Sequence, residues 1–263
     1  MNPILQELFT TGLTTTPDGS KVSISDSVDP DEVEFLTQIV SELEPVVTLE
    51  VGLAMGISAL AICEALPKTS SSRHIVIDPY QNCQPRWGGI GLHNLQRAGY
   101  ERLVEFYELH SFRALPQIEA SGWKIDFAFV DGWHTFDHVF VDFFYIDKIL
   151  GVGGVVVFDD ADWPSIRRVI RYIVTNLPYV VYKTLPKHEI RQSSQRRIYE
   201  AGISIGSIVL NSLCRIPWLE KPITRAFGAE LLGIDKKFGL RGSCIALRKV
   251  GEDERSADYH KEF

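Results

Sequence analysis

The stretch VVTLEVGLAMGIS, residues 46–58, decides the fold of this chain. It begins as a short apolar run, passes through the small residues Gly52, Ala54 and Gly56, and continues into the helical pattern SALAICEAL (58–66). Small residues at the end of a buried strand let the backbone pass close to a ligand. The stretch therefore predicts a strand, a tight turn and a helix at a ligand-binding edge.

The sequence that follows repeats this alternation of strand and helix. A helix is predicted from Pro30-Asp31 to about Glu44, because its apolar residues recur on one face. Further strands are predicted at 74–80, 103–109, 125–131, 153–160, 179–185 and 243–250. Near-continuous apolar strands that alternate with helices are typical of a parallel sheet covered on both faces. We expect an α/β, Rossmann-like, doubly wound fold with a mostly parallel seven-stranded sheet.

The pattern divides the chain into four regions. Residues 1–44 are expected to form an N-terminal arm and helix, the first 30 of them irregular with a turn at Pro17-Asp18-Gly19. Residues 45–186 form the predicted core, and 241–263 the last strand and a polar tail. Residues 187–240 are predicted to be a helical insert that contains the apolar stretch ISIGSIVLNSLCRIPWL. The insert is interpreted as a lid or the interface of a homo-oligomer, with simple packing on the core as the alternative.

Composition limits the classes of partner and the compartment. The 263 residues carry a formal net charge of -7, so we do not expect a nucleic-acid partner. The four cysteines lack metal-ligand spacing and are interpreted as reduced thiols. The N-terminus lacks a signal-peptide pattern, and no apolar run reaches the roughly 18 residues of a membrane span. These features predict a cytoplasmic protein without a membrane span.

An acidic residue ends the second predicted strand. Asp78 lies 22 residues after Gly56, where a carboxylate can accept hydrogen bonds from both hydroxyls of a ribose. A dinucleotide-binding loop would place its third glycine at position 57, which is Ile57. The combination favours a nucleoside ligand and disfavours a nicotinamide oxidoreductase.

More carboxylates follow two strands that the fold makes neighbours. Asp131 ends one strand, Asp159 and Asp160 end the next, and His134 comes three residues after Asp131. Parallel neighbours lie about 4.8 Å apart, so these groups should meet at one edge of the sheet. Clustered carboxylates repel one another unless a cation lies among them, and hard divalent cations such as Mg²⁺ prefer oxygen ligands. The alternative is that these aspartates cap the following helices or face water.

With these motifs the chain resembles the class I S-adenosylmethionine-dependent methyltransferases. The resemblance implies that the loop from Glu50 to Ser58 binds the cofactor, with Ser58 near the methionine carboxylate and Ser111 near the adenine. Ala54 stands where many relatives carry glycine. The implied cofactor-binding residues are Glu50, Gly52, Ala54, Gly56, Ser58, Asp78, Ser111 and Asp131.

The carboxylate pattern is similar to a narrower group, the metal-dependent small-molecule O-methyltransferases of the catechol and macrolide-sugar type. This resemblance implies that Asp131, Asp159 and Asp160 bind Mg²⁺ or another hard divalent cation. It also implies that His134 is the catalytic base, with Asp131 beside it. The expected reaction is methyl transfer from S-adenosyl-L-methionine to a hydroxyl of a small-molecule acceptor, which is a sugar, a macrolide or a phenolic diol.

Two alternatives to a metal-dependent enzyme remain open at this stage. One is a metal-independent methyltransferase of the same fold, in which Asp159 and Asp160 are structural. The other is a non-catalytic relative that works by association through the 187–240 insert. Trp87 and Trp133 flank the inferred site, where they either pack an aromatic or sugar ring or belong to the core.

Overall fold

The N-terminal segment is more regular than predicted. The computed structural model describes residues 2–25, 27–186 and 233–259, together with 261 and 263. Where an irregular arm was expected, helix α1 (Pro3–Thr11) leads into a hairpin of strands β1 (Leu13–Thr15) and β2 (Lys21–Ser23). The helix forms because Asn2 caps its first turn and because Leu5 and Leu8 are buried against the core.

The predicted seven-stranded sheet is confirmed. Its strands are β3 (Val47–Val51), β4 (Arg73–Ile77), β5 (Val104–Tyr107), β6 (Ile125–Val130), β7 (Leu150–Phe158), β8 (Tyr179–Leu185) and β9 (Cys244–Lys249). They lie in the order β5-β4-β3-β6-β7-β9-β8. The first five run parallel, and β9 enters antiparallel between β7 and β8. The carboxyl ends of β3, β4, β5, β6 and β7 therefore share one edge, at which a ligand site is expected.

Helices cover both faces of the sheet. They are α2 (Pro30–Leu43), α3 (Ile57–Ala65), α4 (Ile90–Arg97), α5 (Ser111–Ala120), α6 (Phe136–Ile149), α7 (Pro164–Asn176) and the short α8 (Ile234–Phe238). One apolar core joins the sheet to α5, α6 and α7, and a second joins it to α1, α2, α3 and α4. Both faces are buried, which explains why the central strands are nearly continuous apolar runs.

The start of α2 follows the predicted signal. Pro30 occupies its first position, and Asp29 accepts hydrogen bonds from the backbone N–H groups of Asp31 and Glu32. The Glu32 side chain accepts the N–H of Asp29 in return, which completes a capping box. This local interaction also fixes Glu32 at the edge of the sheet where the candidate site lies.

Most of the predicted insert lies outside the described residues. Residues 187–232 of the predicted insert are not described, and the description resumes at residue 233, just before α8. The predictions of a lid or subunit interface therefore stay predictions. In the part of the chain that is described, no helix combines the length and the apolar character needed to cross a membrane.

The backbone just after β3 packs tightly at Gly52 against the backbone just after β6. This residue has a φ of 95°, and its N–H donates to the carbonyl of Ile77 at the end of β4. A Cβ atom at this position would lie 2.0 Å from the carbonyl oxygen of Asp131, a distance at which the two atoms would overlap. Glycine here thus lets three strand ends converge on one point.

We expect Gly52→Ala to destabilise the fold far more than Gly99→Ala. Both glycines have a positive φ, but a Cβ at Gly99 would meet no atom within 4 Å. Comparing the two variants therefore separates the cost of a positive φ from the cost of the steric clash. Gly52→Ala should lower the free energy of unfolding by about 1 to 3 kcal/mol more than Gly99→Ala, measured by urea denaturation. Equal losses in the two variants would contradict the proposed close approach.

Candidate functional site

One cavity lies at the carboxyl ends of β3, β4, β5 and β6. This main cavity has a volume of about 510 Å³ and is open on one side. It contains five of the eight residues that sequence reasoning assigned to the cofactor, together with His134 and both predicted tryptophans. These lining residues are Gly52, Ala54, Asp78, Ser111, Asp131, His134, Trp87 and Trp133.

Asp78 holds the glycine loop and faces the main cavity. One carboxylate oxygen accepts the backbone N–H groups of Leu53 and Ala54 at 3.2 and 3.0 Å, and the other accepts the N–H of Tyr80 at 2.8 Å. These bonds hold Ala54 at a φ of 46°, a left-handed conformation that alanine rarely adopts. A carboxylate has about four acceptor positions, so one is left for a ligand hydroxyl.

Glu50 and Ser58 support the loop from behind. The Ser58 hydroxyl donates to one oxygen of Glu50, and the other oxygen lies 2.9 Å from His74 Nε2. The second ring nitrogen of His74 lies 2.9 Å from the hydroxyl of Thr48. All four side chains are buried, so Glu50 and Ser58 lie behind the cavity wall and not on its surface. Gly56 is likewise away from the wall, packed against Gly91.

Five aromatic rings form a closed circuit at the main cavity. In order around this aromatic circuit the rings are Tyr80, His110, Phe112, His138 and Trp133. Neighbouring centroids are 5.2 to 6.3 Å apart, within the range of favourable ring contacts. Ser111 and every ring except that of Phe112 line the main cavity. Such a surface suits a flat heterocycle.

The sequence had pointed to one member of the aromatic circuit, Trp133. Tyr80 lies two residues after Asp78, and the HSF segment at 110–112 follows a strand, so both had a weak positional signal. Their meeting depends on the β5–β4–β3–β6 arrangement of neighbouring strands, which only the assembled sheet provides.

His134 lies between two of the three predicted metal ligands. Its Nε2 atom is 3.4 Å from Asp131 Oδ1 and 3.5 Å from Asp160 Oδ2. The hydrogen bond with Asp131 is the main reason that the pKa of His134 is raised. Burial raises the pKa of Asp131 to about 6, with the carboxylates of Glu50 and Asp160 adding to the effect and His134 opposing it. The imidazole is therefore placed to carry positive charge between two acids.

Asp159 is hydrogen-bonded to a residue of β9. It is buried, and Oδ1 accepts a hydrogen bond from Cys244 Sγ at 3.0 Å. The Cys244 sulfur in turn lies 3.7 Å from Glu32 Oε1. Burial raises the pKa of Asp159 to about 7, helped by Asp131, and raises that of Glu32 to about 7, helped by Asp159. Burial also raises the pKa of the Cys244 thiol.

The predicted convergence of three aspartates is thus only partly met. Within the described residues, the group that offers three ligand atoms within 4.8 Å of one another is Glu32, Asp159 and Cys244. The cause is the sheet order: β9 pairs with β7, and Phe158 faces Ile245, so the start of β9 lies beside Asp159. Sequence reasoning placed the last strand in the sheet but could not give its register.

Two further residues of the main cavity were missed. Trp163 is 50% exposed, and its ring centroid lies 5.4 Å from that of His134. The guanidinium of Arg86 lies over the rings of Tyr80 and Trp87, at 5.1 and 5.7 Å from their centroids. Trp163 follows Asp159 by four residues, and this position after a strand is the only signal that the sequence offered.

Comparison with known proteins finds a domain family that part of the chain matches. Residues 49–161 match the family of methyltransferase domains. This range begins in β3 and ends just after β7, so it contains the glycine loop, Asp78 and the three aspartates.

Individual relatives agree with that match. The chain is 30% identical over 137 residues to tapetum-specific methyltransferase 1 of Arabidopsis thaliana. The aligned stretch covers 52% of this chain and 55% of that protein. It is 28% identical over 195 residues to a caffeoyl-CoA O-methyltransferase of Populus kitakamiensis, and this alignment covers 72% of this chain and 77% of that protein. The chain thus spans about half the length of the first of these relatives.

A solved structure has the same fold. An O-methyltransferase from Bacillus cereus, solved in complex with SAH, aligns with a TM-score of 0.55 and 20% identity. The alignment covers 70% of this chain and 86% of that one. The sheet and its covering helices therefore have the fold of that solved structure.

The buried acids predict a specific dependence of stability on pH. The pKa of Asp159 is about 7 in the folded protein, against 3.8 for an aspartate in the unfolded chain. Between pH 3.8 and pH 7 the folded state therefore binds more protons than the unfolded state. This contribution is complete below the unfolded pKa and is lost as the pH rises through 7. We expect Asp159→Asn to gain stability relative to the parent by about 1 to 3 kcal/mol between pH 5 and pH 8.

The measurement is urea denaturation of both proteins across that pH range, without divalent cations. Asparagine keeps an oxygen that can accept the Cys244 hydrogen bond, so the difference isolates the charge. A difference in free energy of unfolding that stays constant with pH would show that Asp159 is ionised throughout.

Proposed function

We propose that this chain, whose residues 49–161 form a class I S-adenosylmethionine-dependent methyltransferase domain, transfers a methyl group to a hydroxyl oxygen of a small molecule. The observation that carries the proposal is the composition of one cavity. The main cavity joins a glycine loop held by Asp78, the aromatic circuit, and His134 beside Asp131. These are a nucleoside site and a base, within reach of each other.

The cofactor would lie along the edge of the sheet. Its adenine would rest in the aromatic circuit and its ribose against the remaining acceptor position of Asp78. The sulfonium would then lie near Gly52 and Asp131, where the carboxylate offers the negative charge that a cationic sulfur needs. The buried support from Glu50 and Ser58 keeps the loop in place without contacting the ligand.

His134 is the proposed base. It would take the proton from the acceptor hydroxyl as the oxygen attacks the methyl carbon and the sulfur leaves with its electron pair. Its raised pKa makes it a stronger base than a free imidazole. Once protonated, it would lie between Asp131 and Asp160, which stabilise the new positive charge.

A phenolic acceptor is favoured over a sugar or a macrolide. Trp163 is half exposed beside His134, and Trp87 stands on the wall of the same cavity. Flat aromatic rings pack well against such side chains. The name of the Populus kitakamiensis relative also indicates a phenolic substrate for that protein.

The proposal also includes a bound divalent cation. Asp131, Asp159 and Asp160 would hold it, because all three are hard oxygen donors at one edge of the sheet, where burial first and neighbouring acids second raise the pKa of Asp131 and of Asp159. For this, Asp159 must leave Cys244 and the His134 ring must leave its place between Asp131 and Asp160. When bound, the cation would acidify and orient the acceptor hydroxyl.

A metal-independent methyltransferase is the second candidate. The observation that favours it is the contact of the His134 imidazole with both Asp131 and Asp160, because the imidazole becomes the positive charge between these acids when it takes the acceptor proton. In this alternative, Asp159 stays bonded to Cys244 and serves only the fold.

The cofactor proposal predicts that S-adenosylhomocysteine binds and raises the melting temperature. Asp78→Ala should weaken binding by about 1 to 3 kcal/mol, since it removes a buried acceptor. The measurement is titration calorimetry. Asp126→Ala is the matched control, because Asp126 also accepts two backbone N–H groups, from Val46 and Val47, but lies away from the main cavity.

Two results would count against this prediction. Absence of binding by the parent protein at millimolar ligand would reject the methyltransferase proposal. Equal weakening by Asp78→Ala and Asp126→Ala would show that Asp78 matters only through the stability of its loop.

The role of the metal is tested by turnover with a panel of phenolic and sugar diols. If the cation is required, a chelator stops turnover and Mg²⁺ restores it, while S-adenosylhomocysteine binding is unchanged. Asp160→Ala should then abolish most activity. His134→Gln should lower the rate by about 10²- to 10⁴-fold in either case, the usual contribution of a general base.

The chelator experiment distinguishes the two candidates. Full activity in excess chelator selects the metal-independent enzyme. A His134→Gln variant with the activity of the parent protein would remove His134 from the chemistry.

A further inference from the structure

A second cavity lies between the N-terminal hairpin and the loop that follows β4. This hairpin cavity has a volume of about 460 Å³ and is open to solvent, a size typical of small-molecule sites. Residues between 16 and 23 supply one wall, residues between 84 and 90 the other, and Met55 of the glycine loop also lines it. Asp78, Asp131 and His134 do not line it, so it is distinct from the site proposed above.

Buried hydrogen bonds attach both walls to the glycine loop. On the hairpin side, Asn94 Nδ2 donates to the hydroxyl of Thr14 at 2.9 Å and to the carbonyl of Met55 at 3.0 Å. On the other side, Gln81 Nε2 donates to the carbonyl of Ala54 at 2.9 Å. The side chains that make these bonds belong to fully buried residues. The hairpin cavity is therefore a preformed part of the fold, as ligand sites usually are.

Aromatic rings hold Arg86 on the wall of the hairpin cavity. Its guanidinium lies 5.1 and 5.7 Å from the ring centroids of Tyr80 and Trp87. No hydrogen bond or ion pair joins Arg86 to another residue that the structure describes. Stacking on rings uses the faces of a guanidinium and leaves its N–H edge available, and that edge binds a carboxylate through two parallel hydrogen bonds.

The distribution of charge favours the hairpin cavity over the main cavity as the place for an anion. Arg86 lines both cavities. The carboxylates of Asp78 and Asp131 lie on the wall of the main cavity, where they would repel an anion. In the hairpin cavity the lining contains one carboxylate, that of Asp18. An anion bound to Arg86 is therefore repelled less on the hairpin side.

Asp18 limits the charge that the hairpin cavity accepts. Hydrogen bonds from Thr16 and Ser20 to its carboxylate lower the pKa of Asp18 to about 2, so the group is ionised at neutral pH. One negative charge on the wall opposes a dianion about twice as strongly as a monoanion. A carboxylate ligand is thus favoured over a phosphate monoester.

We propose that the hairpin cavity binds a small monocarboxylate with an apolar body, its carboxylate held by Arg86. Trp87, Met55 and Ile90 line the same cavity and offer the apolar surface against which the body would pack. The site does not depend on the proposed methyl transfer, since it uses residues of the hairpin wall and a guanidinium that the chemistry leaves unused.

A thermodynamic cycle tests the role of Arg86. The probes are 3-phenylpropanoate and the neutral 3-phenylpropanamide, which share one body, titrated by calorimetry at neutral pH into the parent protein and into Arg86→Gln. The acid should bind about 10- to 100-fold more tightly than the amide in the parent, and less than about threefold more tightly in Arg86→Gln. A general effect of the substitution on the fold would change both affinities alike.

Arg113→Gln is the matched control for this cycle. Arg113 also lies over an aromatic ring, 5.9 Å from the centroid of Phe112, but it lines neither cavity. This variant should keep the discrimination of the parent. The dianion of 2-phenylethylphosphonate should bind the parent more weakly than the acid, and equal or tighter binding would overturn the preference for a carboxylate.

A second pair of variants tests the location. Val22 lines the hairpin cavity and Lys21, its neighbour on β2, does not. Val22→Trp should fill the cavity and weaken binding of the acid by at least about tenfold, whereas Lys21→Trp should change it by less than about threefold. Should Val22→Trp fail to fold, the exposed Ser23, which lines the same wall, takes its place as Ser23→Trp.

Three results would overturn the inference. They are absence of binding of the acid by the parent at millimolar concentration, discrimination that survives Arg86→Gln, and binding that survives filling of the cavity. None of them depends on S-adenosylhomocysteine, whose binding tests the proposed function separately.

Discussion

The backbones of β3 and β6 meet at Gly52, where there is no room for a side chain. The contact with the Asp131 carbonyl brings the glycine loop and the acid end of β6 together, and the N–H of Gly52 joins both to the end of β4. Everything in the main cavity is positioned relative to this point. Asp78 then holds the loop by accepting its backbone N–H groups, and the buried Glu50–His74 pair supports the loop from behind.

The same edge of the sheet concentrates acids, and the protein stabilises each of them differently. Asp78 is surrounded by backbone N–H groups, Glu50 by an imidazole and a hydroxyl, and Asp131 by the His134 ring. Asp159 has a thiol donor and a raised pKa. An edge of this kind suits a cationic ligand better than an anionic one, because the uncompensated charge is negative.

Sequence reasoning was most accurate where one local pattern decides the structure. The apolar runs gave all seven strands of the main sheet, and the capping signal at Pro30 gave the start of α2. It was wrong for residues 3–11, because the helix there depends on the burial of Leu5 and Leu8 by distant residues. It also expected Asp159 to join Asp131 and Asp160, whereas β9 brings Cys244 to its side.

The sequence by itself determined the class of fold, the loop from Glu50 to Ser58, and the acids at the strand ends. These follow from periodicity and from residue types that act within a few positions of one another. Only the tertiary structure decided that Glu50 and Ser58 lie behind the loop and that His134 stands between two aspartates. Those arrangements depend on strand order, register and side-chain direction, which come from packing between distant segments and leave no local pattern in the chain.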